Sequence, residues 1–221
     1  MSQIFDARFF GEAFVTLVVA FAIGGSLLVS VFLVPVADLP ARFATLPKLT
    51  VGRRAIVGVA FANYAPGGVL AYDELLVATP VIARGRLRIT IPQIWVDSPE
   101  SLAGGRALWG IPKRLATFDA TRTADAAEVS AGTPGPVAAL SARLGRAILP
   151  GTPRLPLPIE QRSGGRRIVS HNHAVGRVTA MRAGWRFAPG AALGYLHGRR
   201  PVVSFAVRDA SIVFGQRVER S

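Results

Sequence analysis

Apolar residues along this chain come in short runs separated by Gly- and Pro-bearing breaks, not at helical spacing. Strand-like runs cover Arg54–Ala62, Val69–Ala83 and Leu87–Trp95, with breaks at Ala65-Pro66-Gly67-Gly68 and Arg84-Gly85. Further strand signals lie near Leu115–Ala120, Val137–Ile148, Arg167–Met181 and Val202–Phe214. From Ala13 to Ala37 there is no charged residue, and hydropathy alone would mark a membrane span. Gly24-Gly25-Ser26 interrupts that run, and its halves are rich in Val and Thr, so the pattern predicts two buried strands joined by a tight turn. A secretory signal is a poor fit as well, since Asp6 and Glu12 stand beside a single Arg8 ahead of the apolar run. Asp38-Leu39-Pro40 predicts a short helix with Asp38 as N-cap, ending before Pro47. Ala103–Pro112 reads as a Gly-rich loop and Leu149–Gly165 as a long connection. No repeat of 20–50 residues is present. The pattern predicts one domain over residues 1–221, mainly β (α+β), an antiparallel barrel with a few short helices.

Composition narrows the function classes. Half the residues are hydrophobic and 18% are charged, which excludes a disordered chain. The absence of cysteine excludes disulfide scaffolds, Cys-ligated metals and thiol nucleophiles, and suits a reducing cytoplasm. The net charge is +13, but only Lys48 and Lys113 are lysines, leaving 24 arginines among the 26 basic residues. These arginines are scattered and lack interleaved aromatics, so the charge does not imply nucleic acid. The nearest thing to a stripe is Arg84, Arg86 and Arg88, expected on a solvated sheet face with Leu87, Ile89 and Ile91 opposite.

Several familiar sites are missing. There is no Gly-x-Ser-x-Gly elbow. Gly105–Gly110 has phosphate-loop spacing, but Ile111-Pro112 follow where Lys-Ser/Thr is required. His171 and His173 could face one metal from a strand, yet no third ligand is identifiable, so no metal is assigned. His197 reads as a surface turn residue.

The informative cation is Lys113. A chain that uses arginine almost everywhere places an amine in Trp109-Gly110-Ile111-Pro112-Lys113-Arg114-Leu115. A guanidinium cannot be a nucleophile, whereas an amine can once it loses its proton. Apolar neighbours and the adjacent Arg114 are both expected to lower the Lys113 pKa. A neutral amine attacks a ketone to form an imine, which is its own electron sink, so no cofactor is required. The alternative is an ordinary surface lysine beside an arginine. Upstream, Tyr72 and Glu74 share one strand face, where a phenol and a carboxylate can supply acid–base chemistry; the alternative there is a polar outer face.

Taken together, Gly67-Gly68-Val69-Leu70-Ala71-Tyr72-Asp73-Glu74 and Gly105-Arg106 through Lys113-Arg114-Leu115-Ala116 resemble the acetoacetate decarboxylase family. The first resembles its Gly-rich turn before Tyr-x-Glu, the second its Gly-Arg…Pro-Lys-Lys-x-Gly/Ala signature. The resemblance covers Ile56–Asp119. It implies a cone-like β-barrel, a homo-oligomer, Lys113 as Schiff-base lysine and Glu74 as the active-site glutamate. There are three departures: Arg114 replaces the second family lysine, Ile56–Tyr64 carries no carboxylate, and Ala13–Ala37 carries no arginine.

The expected function is a Schiff-base lyase that decarboxylates a small β-keto acid. Lys113 is the nucleophile, Glu74 the acid–base group, Tyr72 an orienting donor and Arg114 a pKa modifier. Trp109 forms an apolar wall, and Arg106 is a carboxylate anchor by charge alone. One alternative keeps the imine but runs aldol or dehydratase chemistry on an α-keto acid. Another is a non-catalytic barrel that binds an apolar ligand or a membrane surface. The uncharged N-terminal run also predicts burial between subunits, hence a homo-oligomer.

Overall fold

The computed structural model describes residues 21–44 and 46–221. The strands of its N-terminal half are β1 (Phe21–Pro35), β2 (Thr50–Val51), β3 (Arg54–Tyr64), β4 (Tyr72–Ala83), β5 (Arg86–Val96), β6 (Lys113–Leu115) and β7 (Thr117–Arg122). Helix α1 (Pro99–Trp109) lies between β5 and β6. β8 (Ala126–Thr133), β9 (Gly135–Ala147), β10 (Arg154–Ser163), β11 (Arg166–Phe187) and β12 (Val203–Arg220) complete the sheet.

All twelve strands belong to one sheet, whose main path is β10-β5-β4-β3-β1-β12-β11-β9-β8-β7. β10 also pairs with β11, so seven strands close into a ring. The seam is a parallel contact between Ile159 of β10 and Ile89 of β5. The length of β11 makes this possible. Its first half pairs with β10 as far as Val175, and its second half pairs with β9 from Thr179 onward. One strand thus serves the ring and the β7–β9 extension in turn.

Apolar side chains fill both sides of the β1-β3-β4-β5 wall, as expected for strands paired on both edges. One side holds Phe32, Val57, Phe61, Leu75 and Trp95, packed against Leu140, Phe187 and Leu193. The other holds Ala62, Tyr64, Tyr72 and Val96 with Ala174, Val207 and Ile212, and next to it Ile91, Ile94, Ile111 and Ile159. Among the described residues, no helix is long and apolar enough to cross a membrane.

Several sequence expectations change. β1 runs unbroken through Gly24-Gly25 instead of turning there, and pairs with β3 and β12 along its length. Gly25 answers a close approach instead of a turn: a Cβ there would sit 1.9 Å from the Asn63 carbonyl oxygen. The part of the expected hairpin before Phe21 lies outside the described residues. The helix expected after Asp38 is two 3-10 turns, Val36–Asp38 and Ala41–Phe43, and Asp38 accepts from Arg199 instead of capping.

The expected Gly-rich loop is mostly helix α1. Ser98 caps its first turn by accepting from the Ser101 amide, Pro99 stands in that turn, and Gly110 ends it in the left-handed region at φ 62°. The glycines within the window masked a start signal that lies before it. The expected connection 149–165 contains β10, and β8 was not anticipated. The arginine stripe is also corrected: Arg84 sits in a turn, Leu87 is 59% exposed, and Arg88 is only 5% exposed. A register shift between Val77 and Thr79 on β4 accompanies the break in simple alternation. Arg88 turns inward because Glu160 of β10 meets it there, together with Arg167 of β11.

Candidate active site

The β3–β4 hairpin sets up one half of the site. Its register places Tyr64 opposite Tyr72 and Ala62 opposite Glu74. Tyr72 and Glu74, two residues apart, share the face toward the Ala62–Ile212 core. Asp73 points the other way, where Asn63 and Arg122 donate to its carboxylate. The Asp97 side chain accepts from the Asp73 amide and helps fix this end of β4 against the end of β5.

The other half comes from β6, which lies parallel to β5 with Lys113 opposite Ile94. Lys113 is 4% exposed and Glu74 3%. The Lys113 Nζ donates to Glu74 Oε2 at 2.9 Å, to Ser101 Oγ at 2.8 Å and to the Tyr72 hydroxyl at 3.4 Å. It stands 5.1 Å from the centre of the Tyr72 ring. Glu74 also accepts from Tyr64 at 3.3 Å through Oε1 and from Tyr72 at 3.4 Å through Oε2. The carboxylate is therefore ringed by an ammonium and two phenols within an apolar shell. Burial, and then the Glu74 charge, push the Tyr64 and Tyr72 hydroxyls well above the ordinary tyrosine range, so both are neutral donors.

α1 roofs the lysine, and Ser101 and Gly105 are its buried residues. The helix end is tied to the strand by main-chain bonds from Ile111 to the Gly105 carbonyl and from Lys113 to the Ile111 carbonyl.

The residues expected at the site divide into two groups. Lys113, Glu74 and Tyr72 come together. Arg106, Trp109 and Arg114 stand elsewhere. The Arg106 Nε donates to the Lys113 main-chain carbonyl at 2.8 Å, so it holds the backbone and does not reach the amine. Trp109 packs on Phe214 at 5.7 Å between ring centres. Arg114 follows Lys113 on a strand, so its side chain takes the opposite face, and it is exposed. The charged group beside the amine is the Glu74 carboxylate, not the Arg114 guanidinium.

Two members of the cluster were missed. Tyr64 was legible in principle: a hairpin centred on Gly68 pairs residue 64 with 72 and 62 with 74. Ser101 was hidden because it stands just ahead of the loop expected over Ala103–Pro112, in a stretch given no element, whereas it is the third residue of α1. His171 lies 3.4 Å from Glu219, and His173 contacts Arg154. Among the described residues, no group of three or more His, Cys, Asp or Glu is arranged to hold a metal ion.

This architecture, a ring of strands with few helices, is the fold of acetoacetate decarboxylases of known structure. A crystal structure of acetoacetate decarboxylase from Legionella pneumophila subsp. pneumophila str. Philadelphia 1 superposes with TM-score 0.66 at 15% identity, covering 91% of this chain and 86% of that one. The enduracididine biosynthesis enzyme MppR, complexed with the condensation product of pyruvate and imidazole 4-carboxaldehyde, gives 0.63 at 14% identity, covering 91% and 88%. An acetoacetate decarboxylase-like enzyme from Sphingomonas wittichii RW1 gives 0.58 at 16% identity, covering 97% of each chain. Likeness at such identities establishes the fold alone. The sequence itself supplies the family: residues 44–156 match the acetoacetate decarboxylase (ADC) family model, and the chain belongs to that family. No curated protein sequence matches it.

Proposed function

We propose that this protein is a lyase that forms an imine between Lys113 and a small keto acid, and that it decarboxylates a β-keto acid. The observation that carries the reading is the buried contact of 2.9 Å between Lys113 Nζ and Glu74 Oε2. Glu74 takes a proton from Nζ, and the free amine adds to the keto carbonyl. The carbinolamine oxygen, protonated by Glu74, leaves as water, and an iminium remains. The bond to the substrate carboxylate then breaks. Its electron pair moves into the iminium, releasing carbon dioxide and leaving an enamine. The enamine carbon takes up one proton from solvent by way of Glu74, and hydrolysis of the iminium returns the ketone and the amine.

The surroundings of Nζ favour loss of the carboxylate. Among the described residues, no arginine bonds to the side chains of Lys113, Glu74, Tyr64, Tyr72 or Ser101; Arg106 reaches only the Lys113 main-chain carbonyl. A bound carboxylate would sit in an apolar shell without a cationic partner apart from the iminium itself, and its conversion to neutral carbon dioxide relieves that burial. Release of carbon dioxide from acetoacetate and its short homologues tests this directly.

A second reading is favoured by one observation: the group that β3 brings to Glu74 is the Tyr64 hydroxyl, not a carboxylate. On an α-keto acid, Glu74 would remove a proton beside the iminium, and the enamine would add to an aldehyde. MppR, complexed with the condensation product of pyruvate and imidazole 4-carboxaldehyde, is a structural neighbour whose bound molecule suits this reading. Deuterium exchange into pyruvate without carbon dioxide release would select it. In either reading we take the protein to be a cytoplasmic homo-oligomer that acts on a free small molecule.

A further inference from the structure

A cavity of about 600 Å³ lies behind the lysine strand. Pro112 and Arg114 line it and Lys113 does not, as alternation on β6 requires. It opens where β5 and β10, joined at Ile89 and Ile159, separate toward their C-terminal ends. The Gln161 side chain bridges that gap, accepting from Thr90 Oγ1 at 2.9 Å and donating to the Ile91 carbonyl at 3.0 Å.

The charge on its walls is of one sign. Arg42, Arg106, Arg114 and Arg162 all line the cavity, and no Asp or Glu does. Among the described residues, the side chains of Arg42, Arg114 and Arg162 take part in no hydrogen bond or ion pair, and Arg106 spends only its Nε, on the Lys113 carbonyl. Elsewhere Arg122, Arg177 and Arg199 each meet an aspartate. Four guanidiniums drawn from the second 3-10 turn, α1, β6 and β10 converge on one space, each carrying free donors in a planar fork. That arrangement repels itself when empty and suits oxyanions that accept paired N–H bonds.

We propose that this cavity binds a small polyanion, a molecule carrying two or more phosphate or carboxylate groups, at a site separate from the Lys113 amine. The volume is in the range of small-ligand pockets. Ile91, Ile94, Trp95 and Ile111 are apolar members of the lining. Arg106 connects the site to β6, since the side chain that faces the anion also holds the Lys113 main chain.

The test is calorimetric titration of the full chain with pyrophosphate, citrate and acetate, in chloride buffer at low ionic strength. Because the chain carries +13 overall, two triple variants of equal charge are compared. Arg42→Ser/Arg114→Ser/Arg162→Ser empties the cavity wall and leaves Arg106 in place. Arg86→Ser/Arg182→Ser/Arg200→Ser removes exposed arginines elsewhere. Pyrophosphate or citrate should bind wild type with one site per chain, at least tenfold tighter than acetate, and their ratio identifies the preferred oxyanion. The cavity triple should weaken that binding at least tenfold and the control triple less than threefold. In hydrogen exchange, the bound anion should protect amides of residues 111–115 in wild type and in the control triple only. Equal weakening in both triples would mean general charge and would overturn the proposal. So would a wild type that prefers neither polyanion to acetate. A cavity triple that changes the oligomeric state without any anion binding would instead make the cavity a contact between copies. None of these readouts uses keto-acid chemistry, so they stand or fall apart from the function of Lys113.

Discussion

Gly105 lies directly against the side chain of Lys113: a Cβ at Gly105 would fall 2.6 Å from Lys113 Cδ and 2.8 Å from Cε. No other residue lets helix α1 come this near the lysine stem. Alanine at this position gains up to about 1 kcal/mol in helix propensity. Overpacking costs about 1–3 kcal/mol. We expect Gly105→Ala to fold with a small change in stability and to slow imine formation at least tenfold, because the stem must shift to admit the methyl. Thermal unfolding and the rate of reductive trapping, measured on one preparation, check both halves.

Ser101 and Glu74 should separate binding from turnover. Ser101→Ala removes one of the acceptors around Nζ, at 2.8 Å, and leaves a buried ammonium short of a partner. A loss of about tenfold in kcat is expected, in line with one modest hydrogen bond. Glu74→Gln keeps the shape but removes the base. We expect it still to allow covalent trapping, with kcat reduced about 10²-fold or more.

Alkaline pH should unfold this protein through its tyrosines. Tyr64, Tyr72 and Tyr195 are the only three in the chain, and burial raises the pKa of all of them above the ordinary value of 10.0. A pKa raised in the folded state means the unfolded chain gives up its phenol protons first. The stabilising contribution is therefore complete below about pH 10 and is lost as pH climbs from there toward the folded values. Native protein should show no phenolate absorbance until it unfolds. The urea midpoint should fall steeply above about pH 10, and Tyr195→Phe should make that slope shallower by one proton.

Glu160 should be the most sensitive single charge for stability. It is 1% exposed and meets Arg88 at 3.3 Å and Arg167 at 2.9 and 3.0 Å, joining β5, β10 and β11 at the ring seam. Removing it leaves two largely buried guanidiniums without their carboxylate. Glu160→Ala should cost about 3–5 kcal/mol, read from urea unfolding at neutral pH.

What the sequence made legible follows from how local each signal is. β3, β4 and β5 were readable because apolar, β-branched runs end in Gly-containing turns, and the pairing of Tyr72 with Glu74 on one face follows from strand alternation alone. Lys113 stood out by being an amine in an arginine chain. Contacts that depend on distant strands were not readable. Arg88 looked solvent-facing because Glu160, its partner, lies 72 residues on in a segment that read as a connection. Gly24-Gly25 looked like a turn because glycine serves tight turns and close backbone approach equally well, and only the position of Asn63 decides between them. Helix α1 went unread for the opposite reason: its cap, Ser98-Pro99, was local and present, but the glycines after it outweighed it.

The central claim is that Lys113 is the nucleophile, and borohydride reduction with a panel of short β- and α-keto acids tests it most directly. Lys48, the other lysine, donates to the Phe43 carbonyl and serves as an internal control. We expect one adduct per chain on wild type, mapping to Lys113 by peptide mass. It should persist in Lys48→Arg and disappear in Lys113→Arg, which keeps the charge but not the amine. An adduct that maps to Lys48, or no adduct with any keto acid in the panel, would contradict the claim and leave Lys113 a structural partner of Glu74.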